Sequence, residues 1–302
     1  MDDLTGVIPL YKPKGMTSHD CVNKLRKILK TKKIGHTGTL DPDVDGVLPM
    51  CIGKATKIAE YLSEDGKTYR GVIKLGQSTT TEDASGDIVE EVPIQKGWHR
   101  SEIEQVFQRF IGEIEQIPPL YSAVKVRGKR LYEYAREGIT VERPRRKVTI
   151  HRLELASDDE QFQERIPFVV ECSKGTYIRT LTVDIGQALG VPAHMESLTR
   201  TRSGAFQLAD CLTFKEIEEA VASGTVSALM VSIGEALTTF PSWIVDEKTE
   251  ADIKHGKVLP LPKNFQNKRM AVYNKKGVCL AIYQVHPERP DVIKPEKVFV
   301  VN

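Results

Sequence analysis

The sequence predicts an α/β protein of the α+β kind, with a mixed and largely antiparallel sheet and a smaller β-rich region at its C-terminal end. Strand and helix patterns follow one another without the strict alternation that a doubly wound parallel sheet requires. After residue 240 the apolar residues recur with the two-residue period of strands. The chain has 302 residues, of which 40% are hydrophobic, and this is enough for two domains with a sizeable core.

The first 240 residues begin with a strand and a helix and continue as a mixture of both. Residues 6–12 are mainly apolar and end at a Pro-Lys-Gly turn, which predicts an opening strand. Ser18 or Asp20 is suited to cap a helix whose apolar stripe contains Val22, Leu25 and Leu29. Further strands are predicted at 69–76, 147–155 and 166–172, and further helices at 101–110, 178–189, 213–224 and 231–237.

The C-terminal tail differs from the rest of the chain in its pattern of apolar and charged residues. The stretch MAVYNKKGVCLAIYQV has two alternating apolar runs around an Asn-Lys-Lys-Gly turn, which predicts a β-hairpin. Residues 241–302 carry eleven Lys or Arg and seven Asp or Glu, a balance of +4 that suits contact with RNA. We therefore predict two domains, one at 1–240 and one at 241–302.

The net charge of +2 conceals a concentrated basic segment. Residues 125–152 contain ten Lys or Arg against three Glu, a local balance of +7 that leaves −5 for the rest of the chain. Charge runs are commonly just solvated surface, but cations interleaved with Tyr132 and Tyr134 suit a polyanionic backbone. This composition favours a nucleic-acid partner.

Composition also bears on redox chemistry and compartment. The five cysteines are far apart and form no CxxC pair, so we expect buried thiols and neither a disulfide framework nor a zinc site. No apolar run approaches the roughly 20 residues that span a bilayer, and the first residues, MDDLTG, lack the features of a signal peptide. We expect a cytoplasmic protein without membrane contact.

The stretch GHTGTLDPDVDGVLP, residues 35–49 and hereafter the Asp41 loop, is the strongest local signal of function. Gly35, Gly38 and Gly46 permit backbone angles closed to other residues, and Pro42 restricts both itself and Asp41. Such a loop can aim one carboxylate. Asp43 and Asp45 raise the alternative of a metal loop, but the other ligand positions of a calcium loop are absent, and a plain turn stays open as a third interpretation.

The Asp41 loop resembles the catalytic motif of the TruB family of tRNA pseudouridine synthases. Five other blocks resemble that family in the same order: GVIPLYKPKGMTSHD, KTYRGVIKLG, PPLYSAVKVRGKRLYEYAR, SKGTYIRTL and LTRTRSG. The tail resembles, less specifically, a PUA domain, a small β-rich fold that is appended to RNA-modifying enzymes. The resemblance implies isomerisation of uridine to pseudouridine at position 55 in the T-loop of tRNA, with no metal and no cofactor.

The resemblance also assigns roles to individual residues. It implies Asp41 as catalytic nucleophile or base, Arg179 as the arginine that pairs with it, and Tyr69 as the tyrosine that stacks on the flipped uracil. Four further residues are implied to bind substrate: His36, Tyr177, Leu198 and Lys12. If the chain is still extended there, Tyr177 and Arg179 share a face.

The basic segment lies where stand-alone bacterial members of the family carry an insertion that closes over the T-arm of tRNA. The residues expected to contact the RNA backbone are Lys125, Arg127, Lys129, Arg130, Arg145 and Arg146. We expect tRNA as the partner and no obligatory protein partner. Three alternatives stay open: a guide-RNA-dependent relative that modifies rRNA, a non-catalytic tRNA-binding or RNA-folding protein, and a glycoside hydrolase that would need a second carboxylate.

Overall fold

A computed structural model describes residues 4–263, 265 and 268–300. These residues form strands and helices in irregular succession. The strands are β1 (Gly6–Lys12), β2 (Ile34–His36), β3 (Asp45–Ile52), β4 (Lys67–Leu75), β5 (Gln77–Thr79), β6 (Ile88–Glu91), β7 (Trp98–His99), β8 (Gly112–Gln116), β9 (Lys125–Val126), β10 (Lys129–Arg130), β11 (Arg146–Leu155), β12 (Gln161–Phe162), β13 (Arg165–Cys172), β14 (Ala193–Ser203), β15 (Phe206–Gln207), β16 (Ser242–Val245), β17 (Leu259–Pro260), β18 (Arg269–Asn274), β19 (Cys279–Val285) and β20 (Val292–Val298).

The helices are short and amphipathic. They are α1 (Ser18–Leu29), α2 (Ala59–Glu64), α3 (Arg100–Gln108), α4 (Leu131–Arg136), α5 (Ile178–Ala188), α6 (Phe214–Ala222), α7 (Ile233–Ala236) and α8 (Glu247–Lys254), with 3₁₀ turns at Gly53–Ile58, Leu208–Asp210 and Val226–Leu229. Within the described residues, no helix has the length and apolarity needed to cross a bilayer.

The large sheet confirms the predicted fold class. Its strands run in the order β1-β3-β14-β4-β13-β11-β8, with β2 attached to β3 and β15 to β14. The pairing of β3 with β14 is parallel, and the other pairs along this path are antiparallel. The parallel contact brings Thr199 opposite Asp45, so the end of the Asp41 loop is joined to the middle of the sheet.

Glycine at position 46 is what allows β3 and β14 to approach. Its φ is +108°, and a Cβ there would lie 2.2 Å from the carbonyl oxygen of Arg200. Gly35 is different: it lies in β2, its φ is not positive, and a Cβ would meet nothing within 4 Å. The expectation that the loop needs special backbone angles at Gly35 is therefore wrong, while at Gly46 it is confirmed.

Helix α1 packs one face onto the sheet beside the Asp41 loop. Cys21, Val22, Leu25 and Leu29 are buried in the main core, and each fully buried leucine contributes about 1.5–3 kcal/mol to folding. The cap is Thr17 rather than Ser18 or Asp20: the Thr17 hydroxyl accepts the Asp20 N–H at 3.0 Å, and the Asp20 carboxylate accepts the Thr17 N–H at 2.9 Å. A reciprocal capping box thus places the cap one residue before Ser18 and three before Asp20.

The C-terminal region is β-rich, as predicted, and packs directly on the large sheet. Its five strands run in the order β16-β18-β19-β20-β17, and β18 and β19 form the expected hairpin. A second core joins the two parts through side chains from both sheets: Val7, Val47, Cys51, Ala271, Ile282 and Phe299. The division at residue 240 remains a proposal.

The cysteines follow the expectation with one exception. All five thiols are free, and Cys21, Cys51, Cys172 and Cys279 are buried. Cys211 is only partly buried, so the expectation of a buried thiol is wrong there.

Candidate active site

An ion pair between Asp41 and Arg179 forms the centre of the candidate site. Arg179 Nε lies 3.1 Å from Asp41 Oδ2. The Arg179 side chain is 7% exposed and that of Asp41 is 43% exposed, so a fixed guanidinium holds a carboxylate that faces open space. A planar guanidinium in this position sets the direction of the carboxylate as well as its charge.

The Asp41 loop is held from beneath by Lys12. Its ammonium group is completely buried and donates to the carbonyls of Pro13 at 2.9 Å, Pro42 at 3.1 Å and Val44 at 2.7 Å. The implied role of Lys12 as a substrate-binding residue needs correction, because a side chain with no exposed surface cannot reach RNA phosphate. Lys12 instead stabilises the loop through the Pro42 and Val44 carbonyls, which lie one and three residues after Asp41.

A second buried cation ties both ends of the loop to the sheet. Arg200, which is 1% exposed, donates from Nε to the Val47 carbonyl at 2.7 Å and from Nη2 to the Gly38 carbonyl at 3.1 Å. Ser18 adds a further tie, because its hydroxyl accepts the Leu40 N–H at 2.9 Å. The Asp41 loop is therefore fixed on both sides of its carboxylate.

The two other aspartates of the loop do not converge with Asp41. Asp45 accepts hydrogen bonds from the Tyr11 hydroxyl at 2.8 Å and the Thr199 hydroxyl at 2.6 Å, and Asp43 is exposed. Across the described ranges, no group of three or more His, Cys, Asp or Glu side chains is placed to hold a metal ion. Asp45 thus belongs to the junction of β3 and β14.

The structure adds Asp83, which the sequence analysis missed. Arg179 Nη1 lies 3.6 Å from Asp83 Oδ2 and donates to the Thr81 carbonyl at 2.9 Å, while Nη2 donates to the Tyr121 carbonyl at 2.9 Å. Asp83 is itself oriented, since Oδ1 accepts the Thr81 hydroxyl at 2.6 Å. The only sequence signal was a Thr-, Asp- and Ser-rich stretch after β5, and such a stretch is typical of an ordinary turn.

The environment shifts the acidity of the central groups. The protein atoms around the Asp41 carboxylate displace part of its hydration and so raise its pKa above the ordinary value, while the positive charge of Arg179 opposes that rise. Burial also raises the pKa of the Tyr69 and Tyr177 phenols, and the guanidinium of Arg200 opposes the rise at Tyr69. Both phenols are therefore held in their neutral forms, and Arg179 favours the ionised form of the carboxylate beside them.

Two connected cavities meet at Asp41. The inner one, of about 410 Å³, is bordered by Tyr69, Tyr177 and Leu198 as well as by the ion pair. These side chains present two aromatic rings and one aliphatic group, which suit the flat apolar faces of a nucleobase. The structure thus brings five of the predicted site residues into one pocket.

Tyr177 reaches the pocket in a different way from the one expected. It is the N-cap residue of α5, and Arg179 lies in the first turn of that helix. The two side chains therefore do not alternate along a strand. The Tyr177 main chain is held by Gln116, whose side chain accepts the Tyr177 N–H at 3.0 Å and donates to its carbonyl at 3.2 Å.

The outer cavity is a groove of about 1180 Å³ that also borders Asp41 and Arg179. This exceeds the roughly 300–1000 Å³ of pockets for small molecules. His36 lines the groove, its Nδ1 accepts the Gly38 N–H at 3.2 Å, and burial lowers the pKa of its imidazole. His36 is thus a turn histidine that faces the place where a large ligand would lie.

The basic segment contributes one wall of the groove. Lys125, Arg130, Tyr132 and Arg136 line it, and the guanidinium carbons of Arg130 and Arg136 lie 5.8 and 5.4 Å from the Tyr132 ring centre. The other predicted backbone contacts lie outside this lining: Arg127 and Arg146 are exposed, Lys129 pairs with Glu137, and Arg145 pairs with Glu115 at 2.8 Å. Two of the six predicted contacts therefore border the groove.

Comparisons with known proteins cover nearly all of the chain. The model for the TruB family pseudouridylate synthase N-terminal domain matches residues 26–178, and that for the tRNA pseudouridylate synthase B C-terminal domain matches residues 179–239. The chain is 58% identical to tRNA pseudouridine synthase B of Halalkalibacterium halodurans, over 98% of this chain and 97% of that protein. It is 55% identical to the protein of the same name in Bacillus cytotoxicus, over 99% and 98%.

Solved structures agree with the sequence relatives. A chain from the crystal structure of a Cbf5-Nop10-Gar1 complex superposes with a TM-score of 0.76 at 30% identity, covering 99% of this chain and 86% of that one. A chain from an H/ACA RNP bound to a substrate RNA containing 2′-deoxyuridine gives a TM-score of 0.74 at 28% identity, with the same coverage.

Proposed function

Because the chain belongs to the TruB family of pseudouridylate synthases and isomerises uridine to pseudouridine in tRNA, we propose that its target is the T-loop uridine at position 55. We propose further that Asp41 carries the reaction, with Arg179 and Tyr69 as the other catalytic residues. The observation that carries this assignment is the 3.1 Å contact of Arg179 with Asp41, at the junction of a pocket and a groove.

The reaction requires three events at one nucleotide. The N-glycosidic bond between C1′ and N1 breaks, the detached base rotates, and a new bond forms between C1′ and C5. The proton on C5 is lost and N1 gains a proton, so the product is an isomer of the substrate. Asp41 serves as the nucleophile or as the base that starts glycal formation, and Arg179 keeps it ionised and directed. No electron is gained or lost, so the proposed reaction needs no redox cofactor. The acid–base and electrostatic work is assigned to Asp41, Arg179 and Tyr69, without a metal.

The residues that line the pocket and the groove have separate roles in the rest of the reaction. Tyr69 stacks on the everted uracil and assists removal of the C5 proton, while Leu198 and Tyr177 pack around the base and hold it during rotation. His36 replaces stacking that the tRNA loop loses when the base is everted. Support for this division is the shared lining of the inner pocket by Tyr69, Tyr177 and Leu198.

We propose that the T-arm lies in the outer groove against the basic segment. The groove is wider than a small ligand needs, and Arg130 and Arg136 extend from a wall that also carries Tyr132. Phosphate contacts of this kind supply affinity, while the pocket selects the nucleotide. A cytoplasmic location and action without an obligatory protein partner complete the proposal. They are supported by the likeness, at 58% and 55% identity, to bacterial proteins named for a reaction on tRNA.

A guide-RNA-dependent activity is the nearest alternative. It is suggested by the structural likeness to a chain from an H/ACA RNP at 28% identity. The identity to the bacterial tRNA enzymes is about twice as high, at 58%, and favours action on tRNA by the chain alone.

The test is tritium release from unmodified tRNA that carries C5-tritiated uridine, with pure protein and no guide RNA. We expect release from the wild type and, because the nucleophile is lost, at least about 10³-fold slower release from Asp41→Asn with tRNA binding retained. Tritium release by the wild type that is no faster than in a protein-free control would overturn the proposal. Free uracil in the products would indicate a glycoside hydrolase, and equal activity of Asp41→Asn would exclude Asp41.

A further inference from the structure

Unpaired buried hydroxyl groups single out one residue of the inner pocket. In the part of the chain that the structure describes, five buried side-chain polar atoms have no hydrogen-bond partner: Arg26 Nε, Thr37 Oγ1, Tyr61 OH, Ser122 Oγ and Ser203 Oγ. Buried polar atoms almost always have a partner, so each exception requires an explanation. Thr37 and Ser122 border the inner pocket, and Ser122 also borders the groove.

The position of Ser122 is fixed by its neighbours. Its carbonyl accepts the Tyr132 N–H from the basic segment at 3.2 Å, and the preceding carbonyl, of Tyr121, accepts Arg179 Nη2 at 2.9 Å. The side chain lies beside the Tyr177 phenol, and this neighbouring hydroxyl opposes the rise in the pKa of Tyr177, but the two groups do not reach hydrogen-bond geometry. Ser122 as a whole is 6% exposed. The hydroxyl is therefore held between the catalytic arginine and a wall of the groove.

The chemistry of the pocket indicates which kind of ligand group would hydrogen-bond the Ser122 hydroxyl. A serine hydroxyl donates one hydrogen bond and accepts others, so it can pair with a carbonyl or with an N–H group. Uracil presents both, as two carbonyls and an imide N–H on its edge, and an everted base has lost its partners there. Two unpaired hydroxyls beside Tyr69, Tyr177 and Leu198 suit a ligand with apolar faces and a polar edge.

We propose that the Ser122 hydroxyl hydrogen-bonds the polar edge of the target uracil and so acts as a specificity-determining contact. This inference rests on the proposed function. Among the residues that the structure describes, no protein group pairs with the Ser122 hydroxyl, and the everted base supplies a partner for it. A site that hydrogen-bonds its substrate discriminates against analogues that lack the matching group.

The test compares Ser122→Ala with Ser203→Ala as a matched control. Ser203 is also buried, at 2% exposed, and unpaired, but it borders neither cavity. Removing an unpaired buried hydroxyl does not weaken folding, so the thermal midpoint of both variants should equal or exceed that of the wild type. In the tritium assay, kcat/KM should fall about tenfold for Ser122→Ala and stay within twofold for Ser203→Ala.

A second measurement distinguishes the base from the ribose. A T-arm hairpin with 2′-deoxyuridine at the target position is used as a competitive inhibitor. Its inhibition constant should rise about tenfold in Ser122→Ala, because the base edge is unchanged in this RNA. An unaltered inhibition constant would assign the contact to the ribose 2′-hydroxyl and overturn the proposal.

Other outcomes separate this inference from the proposed function. A wild type without tritium release would remove the proposed function and this inference with it. An active wild type with kcat/KM of Ser122→Ala within twofold would overturn this inference alone. A lowered thermal midpoint for Ser122→Ala but not for Ser203→Ala would show that the hydroxyl serves folding, and would also overturn it.

Discussion

The Asp41 loop and the basic segment border the same groove, but they are held in opposite ways. The loop is tied by Lys12 and Arg200, whose side chains are 0% and 1% exposed. The basic segment is tied by surface pairs such as Arg145 with Glu115, whose side chains are 71% and 47% exposed. Exposed pairs contribute about 0–1 kcal/mol, whereas a buried cation with several partners is costly to disturb.

The difference follows from what each region has to do. A carboxylate that attacks or deprotonates a nucleotide must be fixed to within a fraction of an ångström, and buried hydrogen bonds supply that rigidity. A surface that binds a phosphate backbone needs positive charge that stays accessible to the ligand. Substitutions in the Asp41 loop should therefore change turnover, while those in the basic segment should change affinity and its salt dependence.

The largest expected effect that tests this contrast is at Arg179. In Arg179→Lys the charge remains, but one ammonium group cannot contact Asp41, Thr81 and Tyr121 together. We expect kcat to fall about 10²-fold or more and the dissociation constant for tRNA to change less than threefold, measured by single-turnover tritium release and filter binding.

Arg202→Lys is the matched control for Arg179. Arg202 lies in β14 of the large sheet and, like Arg179, pairs with a carboxylate, that of Glu171 at 2.6 Å, but it borders neither cavity. Its turnover should stay within about twofold of the wild type. A kcat that is unchanged in Arg179→Lys would mean that the direction of the Asp41 carboxylate is not what the arginine supplies.

The next effect concerns the tie between the loop and the sheet. Arg200 reaches the Val47 and Gly38 carbonyls with two separate nitrogens of its planar guanidinium. The compact ammonium group of Arg200→Lys does not reproduce that fork, so we expect one end of the Asp41 loop to be released. We expect the free energy of unfolding to fall by about 1–3 kcal/mol and kcat to fall about tenfold, measured by chemical denaturation and tritium release. Full activity with lowered stability would show that the loop holds its geometry without this tie.

A smaller effect is expected from the charge of Asp83. This charge raises the pKa of Asp41, so Asp83→Asn should lower that pKa. Asp41 acts in its ionised form, and activity is lost as the pH falls through its pKa. The acidic limb of kcat/KM should therefore move to lower pH in Asp83→Asn, and should not move in Asp87→Asn, an exposed aspartate of the same hairpin. An acidic limb that moved to higher pH would mean that the main effect of Asp83 is to keep Arg179 in place beside Asp41.

Sequence reasoning succeeded where a local pattern carries the physical cause. The Gly and Pro pattern indicated a fixed loop around Asp41, and the apolar periods gave the sheet class, five of the eight α-helices and the hairpin near residue 274. Sequence reasoning missed the short helices α2, α4 and α8. It was wrong at Lys12, because a lysine in a sequence carries no sign that three carbonyls will surround it. It missed Asp83 and the unpaired state of Ser122, since burial and partners depend on contacts between residues that are far apart in the chain.

The smallest effects are expected in the basic segment. Their dependence on salt concentration distinguishes this region from the Asp41 loop. Arg130→Ala and Arg136→Ala each remove a cation that lines the groove, so tRNA binding should weaken several-fold. The slope of log binding constant against log salt should fall by about 1 for each, with kcat at saturating tRNA unchanged. Arg145→Ala is the matched control, because Glu115 already neutralises that charge and the loss in affinity should be smaller. A salt slope that falls equally in all three variants would mean that RNA displaces Glu115, and that the whole basic segment, including Arg145, contacts the phosphate backbone.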